Sequence, residues 1–145
     1  HADLIYSLIQ SGKIKPQKAV NETIVYHYSC YLGIYNDIYD SPRNILTSIP
    51  GIKLVEMEKT KEKGMCCGAG GGRMWMEEKL GTRINMNRVE EAINTGAKEV
   101  AVACPFCRVM VSDGVTAKGS DTNVIDVAQV LLRSVKGESN QSPAN

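Results

Sequence analysis

Glu99-Val100-Ala101-Val102-Ala103-Cys104-Pro105-Phe106-Cys107 is the stretch that decides the fold. Its first five residues form a nearly continuous apolar run, the pattern of a strand buried on both faces. Proline then ends the strand and suits the first turn of a helix, where its missing N–H would be unpaired anyway. A buried strand that runs straight into a helix is one half of a parallel βαβ unit. The same alternation recurs on both sides. Upstream, residues 82–95 carry Ile84, Val89, Ala92 and Ile93 at helical spacing, and Gly96 is a natural C-terminal stop. Downstream, the helix opened by Pro105 is expected to run to about Lys118-Gly119. Residues 123–125 read as a short last strand, and Asp126 caps a final helix with apolar Val127, Val130 and Leu131.

The first half repeats the theme. Residues 2–10 place Leu4, Ile5, Leu8 and Ile9 on one helical stripe, and 13–21 form a polar connector. Residues 22–27 are β-branched and aromatic, a strand pattern that leads into Cys30. Ser41-Pro42 suits a helix N-cap and first position, and Pro50-Gly51 stops that helix. Residues 52–57 are a short strand-type stretch, and the charged turn at 59–64 leads into Cys66-Cys67. The expectation is an α/β domain over residues 1–136, with a mainly parallel sheet, flanking helices and the cysteine loops gathered at one sheet edge. Residues 137–145 read as a disordered polar tail. The chain begins at His1 without an initiator Met, which fits a piece of a longer protein.

Composition excludes several classes. The 145 residues carry a formal net charge of +1, so nothing global attracts nucleic acid or an anionic membrane. No apolar run approaches the roughly 20 residues of a membrane helix. The N-terminus lacks the basic start and apolar core of a signal peptide.

The five cysteines are Cys30, Cys66, Cys67, Cys104 and Cys107. Their number is odd and two are adjacent, unlike the even frameworks of small secreted domains. A reducing compartment is expected, where clustered thiols serve metal binding or redox chemistry more often than crosslinking. Thiolates select zinc, copper(I) and iron–sulfur clusters. The C-x-x-C spacing lets Cys104 and Cys107 reach one centre, with Cys107 in a first helical turn whose N–H groups favour a thiolate. Adjacent Cys66 and Cys67 diverge. They suit two metals of a multi-iron cluster, or one ligand and one free thiol. The glycines that follow, notably Gly68, Gly70 and Gly71, let backbone approach a cofactor and aim N–H groups at sulfide. This run is not a nucleotide loop, since Arg73 stands where G-x-G-x-x-G needs its last glycine. Because the pair lies in a glycine-flanked loop, Cys66, Cys67 or both are expected to oxidise first in air.

Other residues have two readings. His27 is a ligand or donor beside the centre, or a histidine that hydrogen-bonds its surroundings. Arg73, Arg83 and Arg88 balance a cluster's charge, or are solvated helix residues. Met74-Trp75-Met76 packs in the core, or shields the centre or docks a partner.

The pattern Cys30…Cys66-Cys67-Gly68…Cys104-Pro105-Phe106-Cys107 resembles the cysteine-rich CCG domain. That domain occurs in the catalytic subunit of heterodisulfide reductase and in iron–sulfur subunits of glycolate oxidase, anaerobic glycerol-3-phosphate dehydrogenase and lactate-oxidation systems. Tyr31-Leu32-Gly33, Tyr39-Asp40-Ser41-Pro42-Arg43 and the run CCGAGGGRMWMEE at 66–78 sharpen the likeness. They are similar to the C-terminal region of heterodisulfide-reductase-related proteins coupled to electron-transfer flavoprotein and quinone. The likeness runs from about His1 to Arg133. It implies that the five cysteines hold an iron–sulfur centre, in some members a noncubane four-iron four-sulfur cluster bound by all five, while in others the site is assigned to zinc. It also implies redox partners of electron-transfer-flavoprotein, flavin-dehydrogenase or ferredoxin type. A cytoplasmic setting follows, or one at the membrane through segments outside this chain. Many members carry His-Asp-Pro before the first cysteine, whereas His27-Tyr28-Ser29 stands here.

Two functions follow as expectations. One is a redox domain that transfers electrons within a heterodisulfide-reductase-like oxidoreductase, with a variant that reduces a disulfide or quinone at the cluster. The alternative is a structural zinc-binding interaction module. Five thiols and a glycine cradle favour the first, because a closed zinc site takes four ligands.

Overall fold

A computed structural model describes residues 1–77 and 80–136. The elements in chain order are α1 (Ala2–Gln10), β1 (Thr23–Tyr26), α2 (Gly33–Asn36), α3 (Asp40–Thr47), β2 (Lys53–Val55), α4 (Ile84–Asn94), β3 (Glu99–Val102), α5 (Pro105–Ala117), β4 (Asn123–Asp126) and α6 (Val127–Lys136). The four strands hydrogen-bond in the order β2-β1-β3-β4, all parallel. Val25 pairs with Val55 and Val100, and Ala101 with Ile125. The expected tail at 137–145 lies outside the described residues.

Strand alternation divides the core into two layers. Ile24, Tyr26, Ala101 and Ile125 face α1, α3 and α6, where Ala2, Ile45, Leu46, Val127, Val130 and Leu131 are buried. Val25, Val100, Val102 and Val124 face α4 and α5, where Val89, Ala92, Met110, Val111 and Val115 are buried. Each fully buried Val or Ile contributes about 1.5–3 kcal/mol against exposure. The crossover through α3 covers one face of the sheet, and those through α4 and α5 cover the other. The chain therefore winds outward from β1 to β2, returns, and continues through β3 to β4. β1 and β3 flank the topological switch point, and ligands of open α/β sheets bind beyond the carboxyl ends of the strands there.

Two polar groups take roles that their sequence pattern does not suggest. Glu99, first residue of the apolar run, is 5% exposed. Its carboxylate accepts two hydrogen bonds from Arg133 Nη1 at 3.0 and 2.9 Å and one from Asn123 Nδ2 at 3.0 Å. Ser41 does not cap α3, which starts at Asp40 with Tyr39 in the cap position. Its hydroxyl donates instead to Asp3 Oδ1 at 2.7 Å and ties α3 to α1. Asp126 does cap α6, accepting from the Ala128 N–H at 2.9 Å. Among the described residues no helix is long and apolar enough to cross a membrane.

α4 and α5 approach closely at Gly114, where an added Cβ would lie 2.7 Å from Val89 Cγ2 and 3.3 Å from the Asn85 carbonyl oxygen. Gly114→Ala is therefore expected to destabilise the domain by about 1–3 kcal/mol through overpacking, despite the better helix propensity of alanine. Thermal unfolding of the variant checks this, and an unchanged or raised Tm would contradict the close approach.

Candidate metal centre

The cysteines come from three connections. Cys30 follows β1, where the His27 N–H continues the β1–β3 pairing by donating to the Ala101 carbonyl at 2.9 Å. Cys104 follows β3 and is the extended N-cap residue of α5, with Pro105 opening the helix. Cys107 sits in the first turn of α5, as the sequence indicates. Cys66 and Cys67 arrive from the long connection between β2 and α4. Because β1 and β3 are hydrogen-bonded neighbours, Cys30 and Cys104 leave the same end of the sheet at its switch point.

All five cysteines are free thiols. Cys66, Cys67 and Cys107 form a row of neighbouring thiols in which Cys67 acts on Cys66 and Cys107 acts on Cys67. The neighbouring Cys67, with partial burial, pushes the Cys66 thiol far above the ordinary range. Cys67 is pushed up to about 12, chiefly by the neighbouring Cys107, while Cys66 pulls the other way. These two thiols hold their protons at neutral pH, so metal binding must displace them. Cys104 packs against the same buried cluster of side chains as these three. Cys30, half-buried on the opposite loop, stands outside that cluster.

Gly68 is buried beside the pair, at φ +90°. A Cβ there would lie 3.3 Å from the Asn85 nitrogen and 3.4 Å from Met110 Cε, and the Gly68 N–H donates to Cys66 Sγ at 3.3 Å. Glycine is required here both for its backbone and for its missing side chain. Gly70, Gly71 and Arg73 are exposed on the turn beyond. Arg83 is exposed as well. Arg88 is buried, at 1% exposure, and His27 is equally buried. One ring nitrogen of His27 and the sulfurs of Cys67 and Cys107 all lie within 4.8 Å of one another. Burial, and then the neighbouring Arg88 charge, pull the imidazole down to about 3, so the ring is neutral at physiological pH. The helical pattern held a signal for Arg88, since residues 85, 88, 89 and 92 share one face of α4 and all are buried.

The core-packing reading of Met74-Trp75-Met76 is corrected. Met74 alone packs against the buried cluster, while Trp75 and Met76 are 83% and 59% exposed. Of the two thiols expected to oxidise first, Cys66 is half-buried and Cys67 is buried at 3%. Partial alkylation of the reduced, metal-free protein should modify Cys30, Cys66 and Cys104 before Cys67 and Cys107, as exposure governs thiol access. Peptide mass spectrometry reads the order, and modification of Cys107 ahead of Cys30 would contradict this burial.

The donor set is soft, sulfur-rich and buried on one side, with a glycine that a side chain would displace. Arg88 also has one buried nitrogen, Nη2, without a partner among the described residues. Such a setting fits an anionic thiolate-ligated group.

Comparison with known proteins agrees with this chemistry. The model of the cysteine-rich domain family CCG matches residues 24–112. The chain is 49% identical over 94% of its length to a "Probable iron-sulfur-binding oxidoreductase FadF" of Bacillus subtilis, of which it covers 20%. It is 40% identical over 94% of its length to an "EtfAB:quinone oxidoreductase" of Syntrophomonas wolfei, again covering 20%. It is 41% identical over 88% of its length to a subunit of the dihydromethanophenazine:CoB–CoM heterodisulfide reductase of Methanosarcina barkeri, covering 31%. The chain thus spans about a fifth to a third of these relatives. No solved structure matches it significantly.

Proposed function

This chain belongs to the cysteine-rich CCG domain family, and from that premise we propose that it is the iron–sulfur redox domain of a larger oxidoreductase. The observation that carries this reading is the packing of Cys66 and Cys104 against the buried Cys67 and Cys107 beside the switch point, with Cys30 and Cys104 leaving the same sheet end. A four-iron four-sulfur cluster, cubane or noncubane, would be held by Cys30, Cys66, Cys67, Cys104 and Cys107 and supply one-electron chemistry. Gly68, Gly70 and Gly71 would bring backbone N–H groups to it, and Arg73 a positive charge.

The relatives' names supply the wider setting. One is called an iron–sulfur-binding oxidoreductase, one an EtfAB:quinone oxidoreductase, one a heterodisulfide reductase subunit. We extend this to the present chain: electrons pass between the cluster and a flavoprotein or ferredoxin-type partner, with a disulfide or quinone as terminal substrate. Exposed Tyr31, Tyr35, Trp75 and Phe106, each near a cysteine in sequence, support a partner domain that covers this end of the sheet. A closed structural zinc site needs only four of the five thiols and has no use for the glycine cradle.

The test is a redox titration of the anaerobically reconstituted protein, followed by electron paramagnetic resonance. A signal that appears and disappears reversibly with potential supports a relay. Loaded protein silent over the whole accessible range would sink the redox role.

A further inference from the structure

Arg88 is the largest of the fully buried side chains. A guanidinium stays charged in proteins, so its loss of water must be offset by partners. Nη1 donates to Glu91 Oε2 at 2.7 Å and to the Lys59 carbonyl at 2.9 Å, and Glu91 also accepts from the Lys59 N–H. These contacts anchor one side of the guanidinium to α4 and the charged turn. On another side, Nε donates to His27 Nδ1 at 3.0 Å. His27 in turn is the group within 4.8 Å of the Cys67 and Cys107 sulfurs. Arg88 therefore meets the thiol centre through the imidazole.

The direction of that hydrogen bond has a consequence. A guanidinium has donors and no acceptor, so the nitrogen facing it must offer a lone pair. Nδ1 is thus unprotonated, and the neutral ring carries its proton on Nε2. Such a ring has no lone pair left for a metal. Its free group is an N–H donor, on a ring that lies beside the Cys67 and Cys107 sulfurs.

We propose that Arg88 is a positioning residue that locks His27 in the Nε2–H tautomer, so that His27 donates toward the sulfurs of Cys67 and Cys107 and is kept out of the metal's ligand set. The proposal rests on the reading of the thiols as a metal centre. It makes the centre all-sulfur. It also gives the pair a tuning role, since hydrogen bonds to ligand sulfur and a buried positive charge favour the more reduced, more negative state of an iron–sulfur centre. Glu91, on the far side of the guanidinium, holds Arg88 in place without touching the ring.

The tautomer can be read directly. The chain has two histidines, and His1 is exposed, so nitrogen-15 histidine labelling gives an assignable pair of rings. Long-range proton–nitrogen correlation spectra of reduced metal-free protein should show His27 with unprotonated Nδ1 and protonated Nε2. The same pattern should persist in cadmium-substituted protein, with no cadmium–nitrogen coupling to His27. Arg88→Lys, which keeps a charge but not the fixed fork, should lose the single tautomer and shift the midpoint potential of the iron-loaded protein to a more negative value. A proton on Nδ1 in the wild type would overturn the proposal, as would cadmium coupling to His27. So would an Arg88→Lys protein with wild-type tautomer and potential. Should Arg88→Lys fail to fold, the wild-type tautomer and the cadmium spectrum decide alone. Failure of the thiols to take up iron would overturn the proposed function instead, while the tautomer in metal-free protein stands or falls separately.

Discussion

Cys107→Ser protein is expected to load no iron under anaerobic reconstitution that fills the wild-type centre. Cys107 is 2% exposed, stands in the first turn of α5, and packs in the same buried cluster as Cys67. The helix N-terminus favours negative charge at that position, and serine is a poor soft-metal ligand. Cys66 is half-buried. Cys66→Ser should leave an altered, partly assembled centre, because four cysteines still suffice for a cubane. Iron content and paramagnetic resonance of the five single variants separate these outcomes. Undiminished iron in Cys107→Ser would remove the helix-terminus argument, and equal, complete loss in all five would mean every thiol is obligatory.

The second large effect concerns the other end of β3. Arg133→Ala removes both hydrogen bonds from a carboxylate that is almost wholly buried, leaving Glu99 with Asn123 alone. Stranding a buried charge costs about 3–5 kcal/mol, which corresponds to a fall in Tm of roughly 10 °C for a domain of this size. The double variant Glu99→Met with Arg133→Met should recover most of that loss, since no unpaired charge remains. Denaturant unfolding of the three proteins checks it. A loss below about 1 kcal/mol for Arg133→Ala would show that the pair behaves as a surface bridge.

Much of this architecture is legible in the sequence because the determining signals are local. Val100, Ala101 and Val102 read as a buried strand in isolation, and Pro105 marks the start of α5 wherever the rest of the chain goes. Together they predict the parallel sheet and the position of Cys104. The expectation misses where a side chain is claimed by a distant partner. Ser41 looks like a cap, but Asp3 takes its hydroxyl. Arg88 looks like a solvated helix residue, and only the fold brings His27 and Glu91 to it. Glu99 is hidden in an apolar run because its cation lies 34 residues away. Trp75 suits a core by its size, yet it is exposed in a glycine-rich turn that provides no wall against which to bury it.

The site divides the same way. Cys104 and Cys107 could be placed together from their spacing and the strand–helix junction. Their meeting with Cys67 depends on the long connection after β2, which carries few local signals. Its course is set by Gly68 passing close to α4 and α5.

The central claim is that these thiols hold an iron–sulfur centre, and metal and sulfide analysis of protein prepared without exposure to air tests it most directly. The account predicts a brown protein with about four irons and matching acid-labile sulfide per chain. Stoichiometric zinc in colourless protein that takes up no iron on reconstitution would contradict it.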